Sequence, residues 1–313
     1  MSYLENKIVL VTGGAGFLGS NVVDELKKYN PSNIVVPRSS EYDLRKRSDV
    51  DSLFSSTKPT IVIHLAGKVG GIGETKAKPA EFFYDNSSMA LNLIDASYRH
   101  KVDKFVGLGS VCAYPKFAPI PFKEESLWEG YPEETNGPYG MAKKFMLVQT
   151  QAYYQQYGFR GIHLLAVNLY GPGDNFDPHS SHVVPAMIRK LVDAKEKDLK
   201  EVIFWGDGTP TREFLYVTDC ARGIVLAAEH YTKPDPVNLG SGMEISIKEL
   251  AYKLKNLIQY DGDLVWDTSK PNGQPRRCLD VSKAKKEFNF SANVNFDEGL
   301  KQTVEWYIKN KKV

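Results

Sequence analysis

Short hydrophobic runs alternate with longer amphipathic segments through the first half of the chain. The hydrophobic runs are rich in β-branched residues and predict strands at 7–14, 33–39, 60–67, 104–110 and 161–171. The segments between them predict helices near 17–29, 46–57, 79–99 and 138–157. Strands that alternate with helices form βαβ units around a parallel sheet, and continuous hydrophobic character indicates strands that are covered on both faces.

The second half of the chain is less regular. Glycine, proline and aspartate cluster at 171–178, 206–210 and 234–242, and helices are predicted near 182–195, 218–230, 246–259 and 297–309. We therefore predict an α/β fold. It comprises a Rossmann-type, doubly wound parallel sheet over 1–170 and a smaller C-terminal α/β substrate lobe over 171–313, with some interleaving of segments.

Composition and charge narrow the class of protein. Of 313 residues, 42% are hydrophobic and 25% are charged, and the net charge of +2 gives no reason to expect a nucleic-acid or membrane partner. Cys112, Cys220 and Cys278 have neither disulfide-framework nor zinc spacing, so we expect a reducing compartment and no bound metal. The N-terminal residues lack the regions of a signal peptide, and no hydrophobic run approaches the roughly 18 residues of a membrane span. These features predict a cytoplasmic protein.

A glycine-rich turn joins the first strand to the first helix in VLVTGGAGFLGSNVVDEL. Glycine permits a tight turn and lets the backbone approach a pyrophosphate, while the helix N-terminus faces the negative charge. The strand–turn–helix context favours this interpretation over a purely structural turn. The residues predicted to hold a dinucleotide here are Gly13, Gly14, Gly16, Phe17, Leu18 and Gly19.

The end of the second predicted strand bears on the choice of cofactor. NAD-preferring sites usually place an acidic residue there, whereas this strand ends in PRSS. The guanidinium of Arg38, next to Ser39, matches a phosphate and favours NADP. Glu41 is close enough to keep NAD open, and Asp43 and Leu44 are predicted to cover the adenine.

The segment GPYGMAKKF carries candidate redox chemistry. Tyr139 and Lys143 are four residues apart and share one face of the predicted helix. Because an ammonium favours a nearby phenolate, we expect Lys143 to lower the pKa of Tyr139 from its ordinary value of about 10. Such a tyrosine can protonate a carbonyl oxygen while a hydride reaches the carbon, and Ser110 can hydrogen-bond the same oxygen. Ser110 and Cys112 would share one side of the strand if its extended geometry continued.

Four longer blocks narrow the assignment: HLAGKVGGIGETKAKPAEFFYDN, GSVCAYPK, NLYGPGDNFDPHSSHVVPAMIRK and FWGDGTPTREFLYV. With them the chain resembles the GDP-L-fucose synthase family of the extended short-chain dehydrogenases/reductases, from about residue 7 to 285. The resemblance implies an NADPH-dependent enzyme that epimerises GDP-4-keto-6-deoxy-D-mannose at C3 and C5 and reduces its 4-keto group. The product would be GDP-L-fucose.

The resemblance also implies residue roles. The reductase triad would be Ser110, Tyr139 and Lys143. Cys112 and His182 would be the acid/base pair for epimerisation, since a C4 ketone acidifies the C3 and C5 hydrogens and both side chains can exchange protons. Alternatively, Cys112 is a small buried hydrophobic residue and His182 is only a polar residue at a helix start, with His179 as a nearby competitor.

Further binding residues follow by position. Leu65, Ala66, Gly67, Asn168 and Leu169 would line the cofactor, and Lys190, Trp205, Arg212 and Asp280 would surround the nucleotide sugar. Family members often have arginine at the position of Lys190 and Pro-Thr at the position of Ala166-Val167. Both departures bear on the identity of the sugar.

The resemblance implies a homodimer in which helices 79–99 and 138–157 form a four-helix bundle. The compatible hydrophobic residues, which would equally serve as core, are Met89, Leu93, Ile94, Phe145, Leu147 and Val148. Two other functions remain open. One is action on a related GDP-4-keto deoxyhexose or heptose, as epimerase only or reductase only. The other is a non-catalytic dinucleotide sensor, which the retained serine, tyrosine and lysine disfavour.

Overall fold

A six-stranded parallel sheet forms the centre of the structure, a computed structural model that describes residues 2–178, 180–270 and 272–311. Its strands are β1 (Ile8–Thr12), β2 (Asn33–Val35), β3 (Ile61–His64), β4 (Lys104–Ser110), β5 (Gly161–Ala166) and β9 (Val237–Leu239). They lie in the order β2-β1-β3-β4-β5-β9, and every neighbouring pair is parallel. The predicted fold class is confirmed.

Helices cover both faces of this sheet. The helices of the described residues are α1 (Phe17–Leu26), α2 (Arg47–Thr57), α3 (Ile72–Ala77), α4 (Pro79–Arg99), α5 (Gly137–Tyr157), α6 (Val183–Glu196), α7 (Val217–His230), α8 (Ile247–Ile258), α9 (Ser282–Phe288) and α10 (Phe296–Asn310). In β1, Val9 and Val11 pack into the core with α1 and α7, while Leu10 packs into the core with α2, α4 and α5. Side chains alternate along a strand, so burial on both faces explains the continuous hydrophobic sequence.

The segment predicted as one strand over 161–171 is two strands. β5 ends at Ala166, and β6 (Asn168–Tyr170) pairs with β8 (Thr211–Tyr216) outside the central sheet. Between them the N–H of Val167 still donates to the carbonyl of Leu239 at 3.3 Å. The chain therefore changes sheet within one residue, which a continuous hydrophobic run does not reveal.

The second lobe has its own sheets and core. β8 lies between β10 (Glu244–Ser246) and β12 (Arg276–Arg277), and β7 (Glu201–Trp205) pairs with β11 (Asp263–Asp267). Its core joins α6, α8 and α10 through residues such as Ile188, Leu254 and Leu300. Because β9 and α7 return to the central sheet after residue 170, the domain boundary at that residue stays a prediction.

Two helices were not predicted. α3 and α9 have 6 and 7 residues, too few for a helical hydrophobic period to stand out. Among the described residues, no helix combines the length and the apolar character that crossing a membrane requires.

Candidate active site

The carboxyl ends of β1, β3 and β4 meet at one edge of the central sheet. The N–H of Leu65, just after β3, donates to the carbonyl of Thr12 at the end of β1 at 3.0 Å. Thr12, His64 and Gly107 are in register across the three strands, and β4 continues to Ser110. Ligands of open α/β sheets bind at this edge. The glycine turn, the residues after β3 and the end of β4 thus lie where a ligand is expected.

The glycine turn after β1 fits a pyrophosphate. Gly13 has a φ of +74°, and a Cβ there would lie 2.7 Å from the nitrogen of Ala66. A Cβ on Gly19 would collide with the carbonyl oxygen of Gly13. Within the described part of the chain no side chain caps α1 at Gly16, and the first turn holds no acidic residue. The N–H groups at the start of α1 are therefore free of side-chain caps and suit an anion.

Three other predicted cofactor residues lie beyond β2. Arg38 is exposed, and no carboxylate of the described residues pairs with its guanidinium. The carboxylate of Asp43 instead binds Arg45 at 2.8 Å, and this hydrogen bond lowers the pKa of Asp43 to about 2. Leu44 is buried in the core beside the sheet. A role for Asp43 and Leu44 at the adenine stays a prediction.

The remaining predicted cofactor residues lie after β3, in β6 and in the first turn of α1. A Cβ on Gly67 would lie 3.7 Å from Nζ of Lys143, so the segment after β3 reaches that lysine. Asn168 donates through Nδ2 to the carbonyl of Glu213 at 3.2 Å, and Leu169 packs against the core. Phe17 and Leu18 are half-buried in the first turn of α1.

The structure brings Ser110, Tyr139 and Lys143 together. Tyr139 lies in the first turn of α5, and its phenol interacts with the side chain of Ser110 at the end of β4. Lys143, one turn later, donates through Nζ to the carbonyl of Leu108 at 2.9 Å, and its Nζ lies 5.7 Å from the centre of the Tyr139 ring. A proton donor, a second hydroxyl and a cation thus share one edge of the sheet.

Burial controls the protonation of these groups. Desolvation raises the pKa of Tyr139 far above its ordinary value, a negative charge on Cys112 would raise it further, and only the interaction with Ser110 lowers it. Desolvation also lowers the pKa of Lys143 to about 8. The prediction that Lys143 lowers the pKa of Tyr139 is therefore wrong. Desolvation disfavours the phenolate of Tyr139 more strongly than the Lys143 ammonium favours it. The ammonium has little effect because it is directed at the carbonyl of Leu108.

Cys112 lies near Tyr139, although not by the predicted geometry. The extended backbone ends at Ser110, whose Oγ accepts a 3.2 Å hydrogen bond from the N–H of Cys112 and caps a 3₁₀ turn over Val111–Ala113. Gly140 lets α5 approach this turn, because a Cβ there would collide with the carbonyl oxygen of Cys112. The turn, rather than strand alternation, places the cysteine beside the redox residues.

Arg277 was not predicted as a site residue. It donates through Nη1 to Sγ of Cys112 at 3.5 Å, so the half-buried cysteine has a charged partner and is not solely a hydrophobic residue. Arg277 lies in β12, a strand of only two residues within a basic stretch. Such a stretch gives no sequence signal that separates a site residue from a solvated charge.

His182 lies immediately before α6. Its side chain retains contact with solvent, yet the surrounding protein desolvates it and lowers its pKa. Within the described residues it makes no side-chain hydrogen bond, and none joins it to Cys112. The backbone oxygen of the preceding Ser181 is close to Gly71 in the segment after β3. Its competitor His179 lies outside the described residues.

The predicted nucleotide-sugar residues are distributed over the second lobe. Nζ of Lys190 on α6 donates to the carbonyl of Ile203 at 3.2 Å, near the exposed Trp205 at the end of β7. Arg212 on β8 lies opposite Arg277 on β12. Burial, followed by the charge of Arg277, lowers the pKa of Arg212 to about 10.

Asp280 has a structural partner. Its Oδ1 accepts a 2.9 Å hydrogen bond from the N–H of Ser282 at the start of α9, and the side chain of Ser282, followed by this N–H, lowers the pKa of Asp280. The carboxylate thus helps to begin a helix, and its contact with substrate stays a prediction.

Comparison with known proteins is consistent with this geometry. The NAD dependent epimerase/dehydratase family model matches residues 9–240. A probable GDP-L-fucose synthase 1 of Oryza sativa subsp. japonica is 43% identical over 303 residues, covering 96% of this chain and 92% of the relative. The crystal structure of a GDP-6-OMe-4-keto-L-xylo-heptose reductase from C. jejuni has a TM-score of 0.93 at 29% identity, covering 99% of this chain and 100% of that one. A GDP-L-fucose synthetase from Naegleria fowleri bound to NADP has a TM-score of 0.87 at 29% identity, covering 99% and 96%.

Proposed function

The chain belongs to the NAD dependent epimerase/dehydratase family and, within it, to the GDP-L-fucose synthases, and from this we propose its reaction. It converts GDP-4-keto-6-deoxy-D-mannose to GDP-L-fucose by 3,5-epimerisation and NADPH-dependent reduction at C4. One observation carries the proposal: α5 packs against the turn after β4 at Gly140, so the Tyr139 phenol interacts with both Ser110 and Cys112. Groups for carbonyl reduction and for proton exchange at a neighbouring carbon thus lie side by side.

The reduction depends on a proton held at Tyr139. Because burial keeps the phenol neutral, its O–H donates to the carbonyl oxygen at C4, and Ser110 hydrogen-bonds the same oxygen. When bound, the nicotinamide dinucleotide supplies hydride to the carbonyl carbon. Lys143, fixed on the carbonyl of Leu108, places its positive charge beside the phenol.

The epimerisations depend on Cys112 and His182. The C4 ketone acidifies the hydrogens at C3 and C5, so a side chain can remove a proton from one face and another can return a proton to the opposite face. His182 is exposed, but desolvation by the surrounding protein lowers its pKa, so its imidazole is neutral near pH 7 and can accept a proton. Cys112 lies in the turn that α5 approaches at Gly140, next to Tyr139, so both steps can act on one bound sugar.

NADP is the proposed cofactor rather than NAD. Arg38 is exposed beyond β2 with no carboxylate partner among the described residues, as a 2′-phosphate site requires. The related Naegleria fowleri synthetase has been solved with NADP bound. On the substrate side, Lys190 and Arg212 supply positive charge for the diphosphate, and Trp205 offers an exposed aromatic face. Cytoplasmic localisation stays a prediction.

A related GDP-4-keto heptose is the second candidate substrate. It is favoured by the TM-score of 0.93 with the C. jejuni heptose reductase. The departure from Pro-Thr at Ala166-Val167, where the chain changes sheet next to β6, leaves the identity of the sugar open. A chain adapted to such a sugar would reduce the heptose faster than the deoxyhexose.

One incubation tests these alternatives. The purified protein is mixed with NADPH and GDP-4-keto-6-deoxymannose in deuterated water, and the product is analysed by mass spectrometry. We expect a reduced product that carries two solvent deuterons. Reduction without exchange would make the protein a plain 4-ketoreductase. If GDP-4-keto-6-deoxymannose is not reduced but a GDP-4-keto heptose is, the heptose becomes the proposed substrate.

We also propose a homodimer through α4 and α5. These helices pack side by side and expose Leu91 and Val148, which are 50% and 49% exposed. Leu93, Ile94 and Leu147 are instead buried in the chain's own cores, which removes them from the predicted contact. Val148→Glu should dissociate the dimer in sedimentation. Ile308→Glu on α10, which is also 49% exposed, should not.

A further inference from the structure

Arg277 is held in place from two directions. In β12 it pairs with Arg212 of β8, so its backbone belongs to the sheet of the second lobe. Its Nε donates to Oε1 of Gln274 at 2.7 Å, and Nε2 of Gln274 donates to the carbonyl of Lys116 at 2.9 Å. Both side chains are buried. The guanidinium is therefore positioned before any substrate arrives.

The partner of this guanidinium is the sulfur of Cys112. Nη1 lies 3.5 Å from Sγ, and no carboxylate of the described residues hydrogen-bonds Arg277. A neutral thiol is only a weak acceptor, whereas a thiolate is a strong one for a charged donor. The adjacent Arg276 differs from Arg277 in its exposure and in its partner. It is exposed and binds Glu244 through Nε and Nη2 at 2.9 and 2.6 Å.

Positive charge is concentrated around the sulfur. The half-buried Arg212 lies opposite Arg277, whose guanidinium disfavours the charged form of Arg212. A negative charge on Cys112 would act in the opposite sense and stabilise the charged form of Arg212. A negative charge on sulfur would therefore relieve the repulsion between the two arginines, and Arg277 is the one with a hydrogen bond to it.

We propose that Arg277, held by Gln274, is a positioning residue that orients Cys112 and stabilises its thiolate for proton exchange at the sugar. The proposal rests on the proposed epimerase function. In the exchange, the thiolate takes a proton from carbon: an S–H bond forms, the C–H bond breaks, and its electron pair moves to the C4 oxygen. His182, protonated after accepting the proton of the other carbon, returns a proton to the opposite face and so inverts the centre. The Cys112 thiol becomes a thiolate again when it donates its proton in the other inversion, and nothing is oxidised. Arg277 stays charged throughout and contacts sulfur, not the sugar.

Alkylation of Cys112 tests the charge pairing without substrate. Iodoacetamide reacts with the thiolate, and mass spectrometry reports modification of Cys112 separately from the buried Cys220 and Cys278. We expect Arg277→Met to slow alkylation at pH 7 on the order of tenfold, Arg277→Lys to slow it less, and Arg276→Met to leave it unchanged. The difference in alkylation rate between Arg277→Met and the unsubstituted protein should be smaller at pH 10. Equal rates of Cys112 alkylation in Arg277→Met and in the unsubstituted protein at pH 7 would overturn the proposal.

Turnover in deuterated water tests the consequence for epimerisation. Arg277→Met should reduce deuterium incorporation per turnover while leaving the KM for the sugar nucleotide within about twofold, with partial recovery in Arg277→Lys. A raised KM with unchanged incorporation would make Arg277 a phosphate ligand and overturn the proposal. Should Arg277→Met fail to fold, Gln274→Ala, which frees the guanidinium, is expected to slow alkylation in the same direction. If the unsubstituted protein incorporates no deuterium, the proposed epimerase function fails. The pairing of Arg277 with Cys112 is then tested by the alkylation rates alone.

Discussion

The phenol of Tyr139 interacts with the side chain of Ser110, so the first turn of α5 meets the end of β4. Burial raises the pKa of this phenol, and a negative charge on Cys112 would raise it further. A proton retained at this oxygen is the form required of an acid in carbonyl reduction. The retained proton therefore assigns Tyr139 to the reduction and leaves the proton exchange to Cys112.

Tyr139→Phe should separate the two reactions. Loss of the acid should slow NADPH oxidation by about 100- to 10,000-fold, the usual range for a general acid. Deuterium exchange at C3 and C5 should largely persist, because Cys112 and His182 are intact. The measurements are NADPH absorbance and mass spectrometry of recovered sugar nucleotide. A parallel fall of both activities, with cofactor binding unchanged, would show that the division of labour is wrong.

Gly19→Ala should weaken the cofactor site. The added methyl would collide with the carbonyl oxygen of Gly13 and move the turn away from the start of α1. NADPH affinity, followed by fluorescence titration, should fall at least tenfold, equivalent to about 1.4 kcal/mol. Gly73→Ala is the matched control, because a Cβ on Gly73 in α3 has nothing within 4 Å. If Gly19→Ala bound NADPH as well as Gly73→Ala does, the turn would not hold the pyrophosphate.

Arg38→Gln should change cofactor preference. The exposed guanidinium has no carboxylate partner among the described residues, so its removal breaks no internal ion pair. We expect the KM for NADPH to rise on the order of tenfold, as for loss of a charge-assisted phosphate contact, with the KM for NADH unchanged. Steady-state kinetics with both nucleotides decide this. A similar rise for NADH would place Arg38 elsewhere on the cofactor, and no rise would remove it from the site.

Local patterns predicted much of the fold and part of the site. The glycine turn and the four-residue spacing of Tyr139 and Lys143 depend on a few neighbouring residues, so the sequence displays them directly. Arg277 comes from the other end of the chain through a two-residue strand, and its contact with Cys112 exists only after the lobes pack. The direction of the Tyr139 pKa was predicted wrongly for a related reason. Spacing reveals the nearby ammonium, but burial of the phenol is a property of the whole fold.

His163 is a buried group that the proposed mechanism does not use. It lies on β5 opposite Gly107, and its ring occupies space that a side chain at Gly109 would take. Neither ring nitrogen has a hydrogen-bond partner within the described residues, and burial, followed by the charge of Lys143, lowers the pKa of His163 to about 3. An unpartnered buried polar group destabilises a protein by about 1–3 kcal/mol.

His163→Leu should therefore raise the free energy of unfolding at pH 7.5 by about 1–3 kcal/mol, since leucine is apolar and of similar size. Because the folded state keeps His163 neutral, protonation favours the unfolded chain. Stability is then complete above the ordinary pKa of about 6.5 and is lost as the pH falls, by up to about 1.4 kcal/mol per pH unit. His64, whose pKa burial also lowers to about 3, adds a second loss of the same sign. Urea unfolding between pH 7.5 and 4.5 should show a shallower acid dependence in His163→Leu, and an unchanged slope would mean that His163 is protonated in the folded protein.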